Sequence, residues 1–157
     1  MSEKFEVKQS GDIGRGLFAT KLIKQNEQIL EFKGSIISLE EALKKPPDKI
    51  SHPLQIGPAE YIDINEPGVL ANHSCTPNAG IKNDRLLIAL RDIPPNEEIC
   101  YDYSTTMDEN NWTLECKCGT PNCRKIVKDF RFLPPSIQKK YLELNIIQSF
   151  IIKQNHF

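Results

Sequence analysis

The most informative residues of this chain lie in two stretches, NHSCTPN (residues 72–78) and CKCGTPNC (residues 116–123). The second stretch holds three cysteines in a C-x-C-x4-C spacing: Cys116, Cys118 and Cys123. Three thiolates so close in sequence can converge on one ion, and thiolates favour tetrahedral zinc. A structural zinc site needs a fourth ligand, which the first stretch can supply.

The candidate for that fourth ligand is Cys75, inside the first stretch. The remaining cysteine, Cys100, lies in an apolar run over residues 99–103 and is predicted to face a core. If Cys75 binds the metal, the ion clamps the carboxyl-terminal segment beside the NHSC turn.

Length and composition limit the class of protein. The 157 residues suffice for one domain with a real core. A net charge of −1 argues against a nucleic-acid-binding platform, although a basic protein tail stays possible as a substrate. No run approaches the roughly eighteen apolar residues of a membrane span, and residues 1–10 are too polar for a signal peptide. We therefore expect an intracellular protein, in which five cysteines favour metal binding over disulfides.

Many short apolar runs separated by glycine turns indicate a mainly β domain. Strands are predicted over residues 5–7, 17–19, 29–32, 60–64 and 99–103, with a hairpin over 81–90 that turns near Asn83 and Asp84. A capping box that begins at Ser38 predicts a two-turn helix, which Pro46 and Pro47 end.

The remaining segments are predicted to be loops or a helical tail. Residues 46–58 are expected to form a surface excursion, and residues 104–111 a mobile polar stretch. Pro134, Pro135 and Ser136 begin a predicted helix through about Leu144. The apolar residues 146–152 are expected to pack on the domain, and dimerisation is the less favoured alternative.

Three further motifs each have an ordinary structural interpretation beside a functional one. Gly14-Arg15-Gly16 is either a tight turn or a backbone that can approach a small ligand, and it lacks the third glycine of a dinucleotide site. Tyr101 and Tyr103 are predicted on one face of a strand, where they either pack in a core or line a site.

The pair Asn72-His73 allows three interpretations. A histidine close to Cys75 could activate a thiol nucleophile, but sequence neighbours seldom present both side chains to one point. The pair could instead lie in a purely structural, hydrogen-bonded turn. We favour the third interpretation, in which the turn displays Asn72 and His73 to a ligand while Cys75 ties it to zinc.

The order of these motifs strongly resembles that of the SET-domain protein-lysine methyltransferases with a post-SET zinc segment. The matching blocks are G-R-G, E-F-K-G (31–34), Y-I-D (61–63), N-H-S-C-x-P-N, E-I-C-Y-D-Y (98–103) and C-x-C-x4-C-R. The resemblance implies a SET-domain fold of small curved β-sheets with a knot-like crossing near the NHSC segment and short helices. It also implies a SET domain over 1–104, a zinc-bound post-SET segment over 112–128 and a C-terminal helical extension over 129–157.

The same resemblance implies two ligands and a set of site residues. S-adenosylmethionine would lie against Gly14, Arg15, Gly16, Asn72, His73, Tyr103 and His52, although a surface histidine is the more ordinary interpretation of His52. A structural Zn²⁺ would be bound by Cys75, Cys116, Cys118 and Cys123.

Tyr103 matches the catalytic tyrosine of the family. Tyr101 matches the position that tunes the number of methyl groups, which favours mono- or dimethylation. Phe32 stands where many members place a channel-lining tyrosine.

The implied activity is transfer of a methyl group from S-adenosylmethionine to a protein lysine. The expected partner is a protein or peptide bearing a lysine, with a histone or a DNA-associated protein among the candidates. No direct nucleic-acid or membrane partner is expected, and the protein is expected to be a monomer. The expected location is cytoplasmic or nucleoid-associated, or a host nucleus if the protein is a secreted effector. The alternatives are a catalytically idle SET fold that binds a peptide or protein, and an unrelated zinc-stabilised interaction domain.

Overall fold

The computed structural model describes residues 3–49, 52–110 and 112–157, and short strands dominate them. Strands β1 (Phe5–Ser10) and β2 (Gly14–Ala19) form an antiparallel hairpin. One three-stranded antiparallel sheet has the order β3-β9-β8, from strands β3 (Gln28–Glu31), β8 (Ala79–Lys82) and β9 (Leu86–Ala89). A second has the order β4-β6-β5, from β4 (Gly34–Ser38), β5 (Leu54–Gly57) and β6 (Glu60–Ile64).

Two pairs of two-residue strands complete the β structure within the described ranges. β7 (Asn72–His73) and β10 (Cys100–Tyr101) are parallel, with Tyr101 opposite His73. β11 (Leu114–Glu115) and β12 (Ile126–Val127) are antiparallel and lie in residues 112–128, which we call the cysteine segment. The first pair brings the NHSC stretch and the YDY stretch side by side, as the resemblance implies.

The main core lies among the small sheets and contains the alternate apolar residues of the predicted strands. Its fully buried side chains include Leu17, Ile62, Leu87 and Ile99. Successive side chains of a strand point to opposite faces, so strands such as β1, β2, β6 and β8 each contribute one or two residues to this core. The mainly β fold class is therefore confirmed.

The predicted hairpin and the first helix are also confirmed. Asn83 and Asp84 both have positive φ values between β8 and β9, a conformation that these residue types tolerate better than most. Helix α1 (Leu39–Leu43) begins with a complete capping box, in which Ser38 Oγ accepts from Glu41 N at 3.1 Å and Glu41 Oε2 accepts from Ser38 N at 2.7 Å. The helix is shorter than the two turns predicted, and it ends at Lys44, ahead of the prolines.

The C-terminal residues form two helices over a second core. α2 (Pro135–Leu144) has proline at its first position and ends at the left-handed residue Asn145, and α3 (Ser149–Asn155) follows. The second core consists of Phe130, Leu133, Tyr141, Ile146, Ile147, Phe150 and Ile151. A side chain at Gly80 of β8 would collide with Ile146, so the tail packs directly on a strand of the main domain. The division into 1–104, 112–128 and 129–157 stays a prediction.

Three sequence predictions were wrong in detail. Residues 46–58 contain strand β5, whose Leu54 and Gln55 are buried, because this stretch covers the edge of β6. Residues 104–106 and Asp108 are buried rather than mobile, because the tail packs over them, and Asn111 lies outside the described residues. The strand predicted over 99–103 stops at Tyr101, and Tyr103–Thr106 is a 3₁₀ helix, which we call the Tyr103 turn.

Over the described ranges, no helix combines the length and the apolar character that a membrane crossing requires.

Candidate active site

The two tyrosines of the YDY stretch meet although they belong to different elements. Tyr101 ends β10, whereas Tyr103 begins the Tyr103 turn, which Asp102 caps by accepting a hydrogen bond from Ser104 N. Their ring centroids lie 4.8 Å apart. The prediction of a shared strand face was wrong, because the capped turn interrupts the strand, yet the two rings do come together.

The hydroxyl of Tyr103 is held by the backbone that precedes Asn72. It donates to the carbonyl oxygen of Ala71 at 2.7 Å. Burial raises the pKa of the Tyr103 phenol well above its ordinary value, so the group stays protonated at neutral pH. The oxygen lone pairs remain available to accept from a ligand.

The Tyr101 hydroxyl has a different environment. No residue of the described ranges forms a hydrogen bond with it, although burial raises its pKa as well. A protonated phenol without a protein partner can both donate to and accept from a ligand. Phe32 packs behind this ring at a centroid distance of 5.7 Å, and it is fully buried rather than lining the cavity described below.

His73 lies between the Tyr103 turn and the cysteines. Its Nδ1 accepts from Tyr103 N at 3.1 Å, and its Nε2 lies 3.3 Å from Cys75 Sγ. Burial lowers the pKa of His73 to about 4, so the ring is neutral at pH 7 with its proton on Nε2. Both ring nitrogens are thus engaged with protein atoms, and the side chain connects two parts of the site.

A cavity of about 450 Å³ opens beside these tyrosines. Of the predicted site residues, Tyr101, Tyr103, Asn72 and His52 line it. The cysteine segment contributes Trp112, Thr113 and Leu114 to its wall, and the Trp112 ring lies 6.5 Å from the Tyr103 ring. The segment therefore covers part of the cavity. The volume falls within the roughly 300–1,000 Å³ typical of small-molecule sites.

The Gly14-Arg15-Gly16 stretch lies next to Asn72 but does not line that cavity. Asn72 Nδ2 donates to Arg15 O at 3.0 Å and to Glu98 Oε1 at 2.8 Å. A Cβ at Gly16 would overlap Glu98 Oε1 and lie 2.9 Å from Asn72 Nδ2, so a larger residue here would displace the Glu98 side chain that bonds Asn72. Arg15 itself is exposed and pairs with Glu66 at 2.6 Å.

The four predicted metal-ligating cysteines form one cluster. The sulfur atoms of Cys75, Cys116, Cys118 and Cys123 all lie within 4.8 Å of one another, and those of Cys75 and Cys116 are 3.6 Å apart. Tetrahedral zinc with Zn–S bonds of about 2.3 Å places its sulfurs about 3.8 Å apart, so the cluster fits such an ion. Cys100 stays outside the cluster, as predicted, and all five cysteines are free thiols.

The pKa values of the clustered thiols shift in both directions, because burial raises those of Cys75 and Cys116. Burial would raise the pKa of Cys118, yet hydrogen bonding, with Thr120 foremost, lowers it to about 6. Arg124 N donates to Cys75 Sγ at 3.4 Å, and Cys118 N donates to Cys116 Sγ at 3.5 Å. Amide donors of this kind stabilise thiolates, which are the metal-binding form.

Sequence reasoning missed several residues of this region. Asp102 and Arg124 stand inside the quoted motifs, but the letters alone do not show that they pair. Tyr61 and Glu109 are hydrogen-bonded to each other in the cavity wall, 48 positions apart in sequence. Trp112 belongs to none of the quoted motifs and was missed for that reason.

Comparison with known proteins identifies the family. The family profile described as SET domain matches residues 14–104. The variant-silencing SET domain-containing protein of Plasmodium falciparum (isolate 3D7) is 34% identical over 138 residues, which cover 75% of this chain and 5% of that protein. Histone-lysine N-methyltransferase trr of Drosophila melanogaster is 31% identical over 127 residues, which cover 71% of this chain and 5% of that protein. The chain thus spans about 5% of the length of these two curated relatives.

Solved structures show the same fold. The crystal structure of KRYPTONITE in complex with mCHG DNA and SAH superposes with a TM-score of 0.64 at 25% identity, over 79% of this chain and 29% of that one. SUVH6 of Arabidopsis thaliana, in complex with SAM, gives a TM-score of 0.65 at 24% identity, over 82% of this chain and 33% of that one. With a profile match that spans more than half of its residues, this chain belongs to the SET-domain family.

Proposed function

We propose that this chain transfers a methyl group from S-adenosylmethionine to the side-chain nitrogen of a protein lysine. The observation that carries the proposal is the pair of protonated phenols, Tyr101 and Tyr103, at the wall of one cavity that Asn72 also lines. Curated relatives named histone-lysine N-methyltransferases and structural neighbours bound to SAM or SAH support it.

The reaction requires a neutral lysine, since an ammonium group has no lone pair and the ordinary lysine pKa is about 10.4. The buried rings of Tyr101 and Tyr103 disfavour the charged amine through desolvation, whereas the acidic residues Glu109 and Asp129 of the same cavity act in the opposite direction. S-adenosylmethionine, when bound, supplies an electrophilic methyl group on a sulfonium. The protein then has to hold the amine in line with that methyl group, and such positioning supplies much of the rate of a displacement.

Tyr103 is suited to the central positioning role. Its hydrogen is committed to Ala71 O, so the lone pairs of its oxygen face away from that bond and can accept. An acceptor of fixed direction can orient the amine and stabilise the developing positive charge. The turn that carries it is tied to His73 through Tyr103 N, which limits its movement.

Tyr101 is suited to limiting the number of methyl groups. Its hydroxyl has no partner in the described ranges, so it can hold the amine or a water molecule where a further methyl group would otherwise lie. We therefore infer that mono- and dimethyl products predominate over trimethyl.

Zinc is proposed as a structural ion in the four-cysteine cluster. Bound by Cys75 and by three cysteines of the cysteine segment, it would hold that segment against the NHSC turn. Trp112, Thr113 and Leu114 would then stay in place as a wall of the cavity. The metal takes no part in methyl transfer in this scheme.

The substrate is proposed to be a lysine-bearing protein, with histones foremost. The relatives include a methyltransferase named for histone H3 lysine 4, from Yarrowia lipolytica, and a further SET structure contains an H3(1–15) peptide.

The test is transfer of labelled methyl from S-adenosylmethionine to core histones and to an H3 tail peptide, with mass spectrometry of the product. The wild type should label lysine, and Tyr103→Phe should label it far more weakly while calorimetry shows normal binding of S-adenosylmethionine. A lysate of cells that lack this gene offers a wider set of protein substrates. If the protein binds S-adenosylmethionine but methylates neither the histones nor any protein of that lysate, it is a non-catalytic SET fold. Absence of cofactor binding would contradict the proposed function altogether.

A further inference from the structure

Asp102 is the meeting point of three parts of the chain. Its side chain is fully buried, and it begins the Tyr103 turn by accepting from Ser104 N at 3.0 Å. Its backbone oxygen also accepts from Thr105 N and Thr105 Oγ1, at 3.1 and 2.8 Å. The direction of the Tyr103 phenol therefore depends on where this carboxylate lies.

The cysteine segment supplies the first partner of that carboxylate. Arg124, which follows Cys123, donates to both oxygens of Asp102, at 2.7 and 2.8 Å. This bidentate pairing is the strongest form of arginine–carboxylate contact, and it balances a charge that is costly to bury.

The C-terminal helix supplies the second partner. Tyr141 of α2 is almost fully buried, and its hydroxyl donates to Asp102 Oδ2 at 2.9 Å. Burial, followed by the neighbouring negative charge, raises the pKa of this phenol far above its ordinary value, so it remains a donor at any working pH. A second residue of the tail reaches the same turn, because Gln148 N donates to Thr105 O at 3.1 Å.

We propose that Tyr141 is a positioning residue for methyl transfer, which acts through Asp102 to hold the Tyr103 turn in its reactive orientation. The inference rests on the proposed function, since it gives Tyr103 a role in the reaction. It assigns the C-terminal helices to the catalytic apparatus, although none of the residues of α2 or α3 lines the cavity in the described part of the chain.

The physical reason is the sharing of one oxygen between two donors. Asp102 Oδ2 accepts from both Arg124 and Tyr141, which approach it from different segments. Without the phenol hydroxyl, Oδ2 would keep only its bond from Arg124, and among the described residues Arg124 would be the one remaining side-chain donor to the carboxylate besides the backbone amide of Ser104. The cap on Ser104 N would then loosen, and Tyr103 would lose its fixed direction.

The test compares Tyr141→Phe with Ile151→Val in the full-length, metal-loaded protein. The first variant keeps the ring and removes only the hydroxyl. The second removes one methyl group from the same tail core and has no hydrogen bond to Asp102. It controls for a general loosening of the tail.

Two readouts separate positioning from stability. We expect kcat of Tyr141→Phe to fall about tenfold, while KM for S-adenosylmethionine and for the peptide stays within about twofold of wild type. Hydrogen exchange should accelerate at the amides of Ser104 and Thr105 in this variant and not in Ile151→Val.

The positioning role of Tyr141 and the proposed methyltransferase activity can fail separately. A wild-type kcat with unchanged exchange in Tyr141→Phe would overturn the role of Tyr141, and the proposed methyltransferase activity would stand. Equal losses of kcat in the two variants would also overturn it, because tail packing alone would then explain the loss. If the wild type methylates nothing, the proposed function fails, whereas accelerated exchange confined to Tyr141→Phe still supports the coupling of Tyr141 to the turn.

Discussion

Two regions beside the cavity are stabilised in different ways. We call the main core, with Tyr101 and Tyr103 at its edge, the floor of the cavity, and the cysteine segment its cover. In the main core, sixteen buried side chains from the strands and from the segments between them pack together. The cysteine segment has strands of only two residues, and in the described chain it contributes only Cys116 and Val127 to a small buried cluster with Cys75.

This difference indicates what each region needs in order to fold. Burial of apolar area provides roughly 25 cal/mol per Å², so the main core can stabilise itself. A segment with so little buried apolar surface cannot offset its own conformational entropy. A metal ion can make up the difference, because its binding free energy becomes folding free energy of the segment. The floor should therefore survive changes that release the cover.

The largest expected effect concerns the floor. Tyr103→Phe should lower kcat by about a hundredfold or more, since it removes a preorganised oxygen from the reacting centre. The affinity for S-adenosylmethionine should change by less than about threefold, as measured by calorimetry, because the ring itself is retained. Tyr61→Phe provides a comparison in the same cavity wall, where the lost hydroxyl is bonded to Glu109, and it should lose much less. Equal losses in the two variants would remove the special role of Tyr103.

The next largest effect concerns the cysteine segment and its proposed metal. Cys118→Ser should release the metal and weaken binding of S-adenosylmethionine by about tenfold, or about 1.4 kcal/mol. The reason is that Trp112 and its neighbours lose their anchor over the cavity. Metal content by mass spectrometry and calorimetry of the cofactor are the measurements.

Cys100→Ala is the matched control for that experiment. Its thiol lies outside the cluster, so this variant should retain one metal ion per chain. If Cys118→Ser also retained the ion, or if it unfolded the main core, the contrast between floor and cover would be wrong.

A smaller effect, on the ratio of methylated products, is expected for Tyr101. Tyr101→Phe should raise the fraction of more highly methylated product several-fold. The reason is that it removes the Tyr101 hydroxyl, which is proposed to fill the space that a further methyl group on the lysine would need. The total rate should fall much less than in Tyr103→Phe. Mass spectrometry of the peptide products at equal total conversion measures the ratio, and an unchanged ratio would contradict the role proposed for the Tyr101 hydroxyl.

The smallest effect tests the local stability of the floor. Ser38→Ala removes one half of the capping box of α1 and should lower the free energy of unfolding by about 1 kcal/mol. The metal should stay bound, since α1 and the cysteine cluster are separate. Ser35→Ala, at an exposed strand position, should change stability by less than about 0.5 kcal/mol. Metal loss in Ser38→Ala would show that floor and cover are not independent.

Local patterns in the sequence identified most elements of the fold. The capping box at Ser38, the hairpin turn at Asn83 and Asp84, and the helix that begins at the prolines before Ser136 all depend on neighbouring residues, so they were predictable. The choice of Cys75 over Cys100 was also predictable, because Cys75 stands in the NHSC turn and Cys100 in an apolar run. The core position expected of Cys100 was not found, since its side chain is half-buried whereas Cys75 is buried.

The errors occurred where distant residues decide the local structure. Residues 104–106 look like a polar loop, yet the C-terminal helices bury them. Leu54 and Gln55 form a strand only because β6 offers an edge to pair with. The Tyr103 turn interrupts a β-like pattern because the Asp102 carboxylate caps it.

Residue types and short spacings were sufficient to indicate the mainly β class, the cysteines at 116, 118 and 123 and the pair of tyrosines. The packing of distant segments, in contrast, brings Tyr101 and Tyr103 into one cavity wall with Asn72 and lets Asp102 join Arg124 to Tyr141. The physical reason is that a buried charge needs its partners, and those partners lie 22 and 39 positions away in the chain. No local pattern records such a distance.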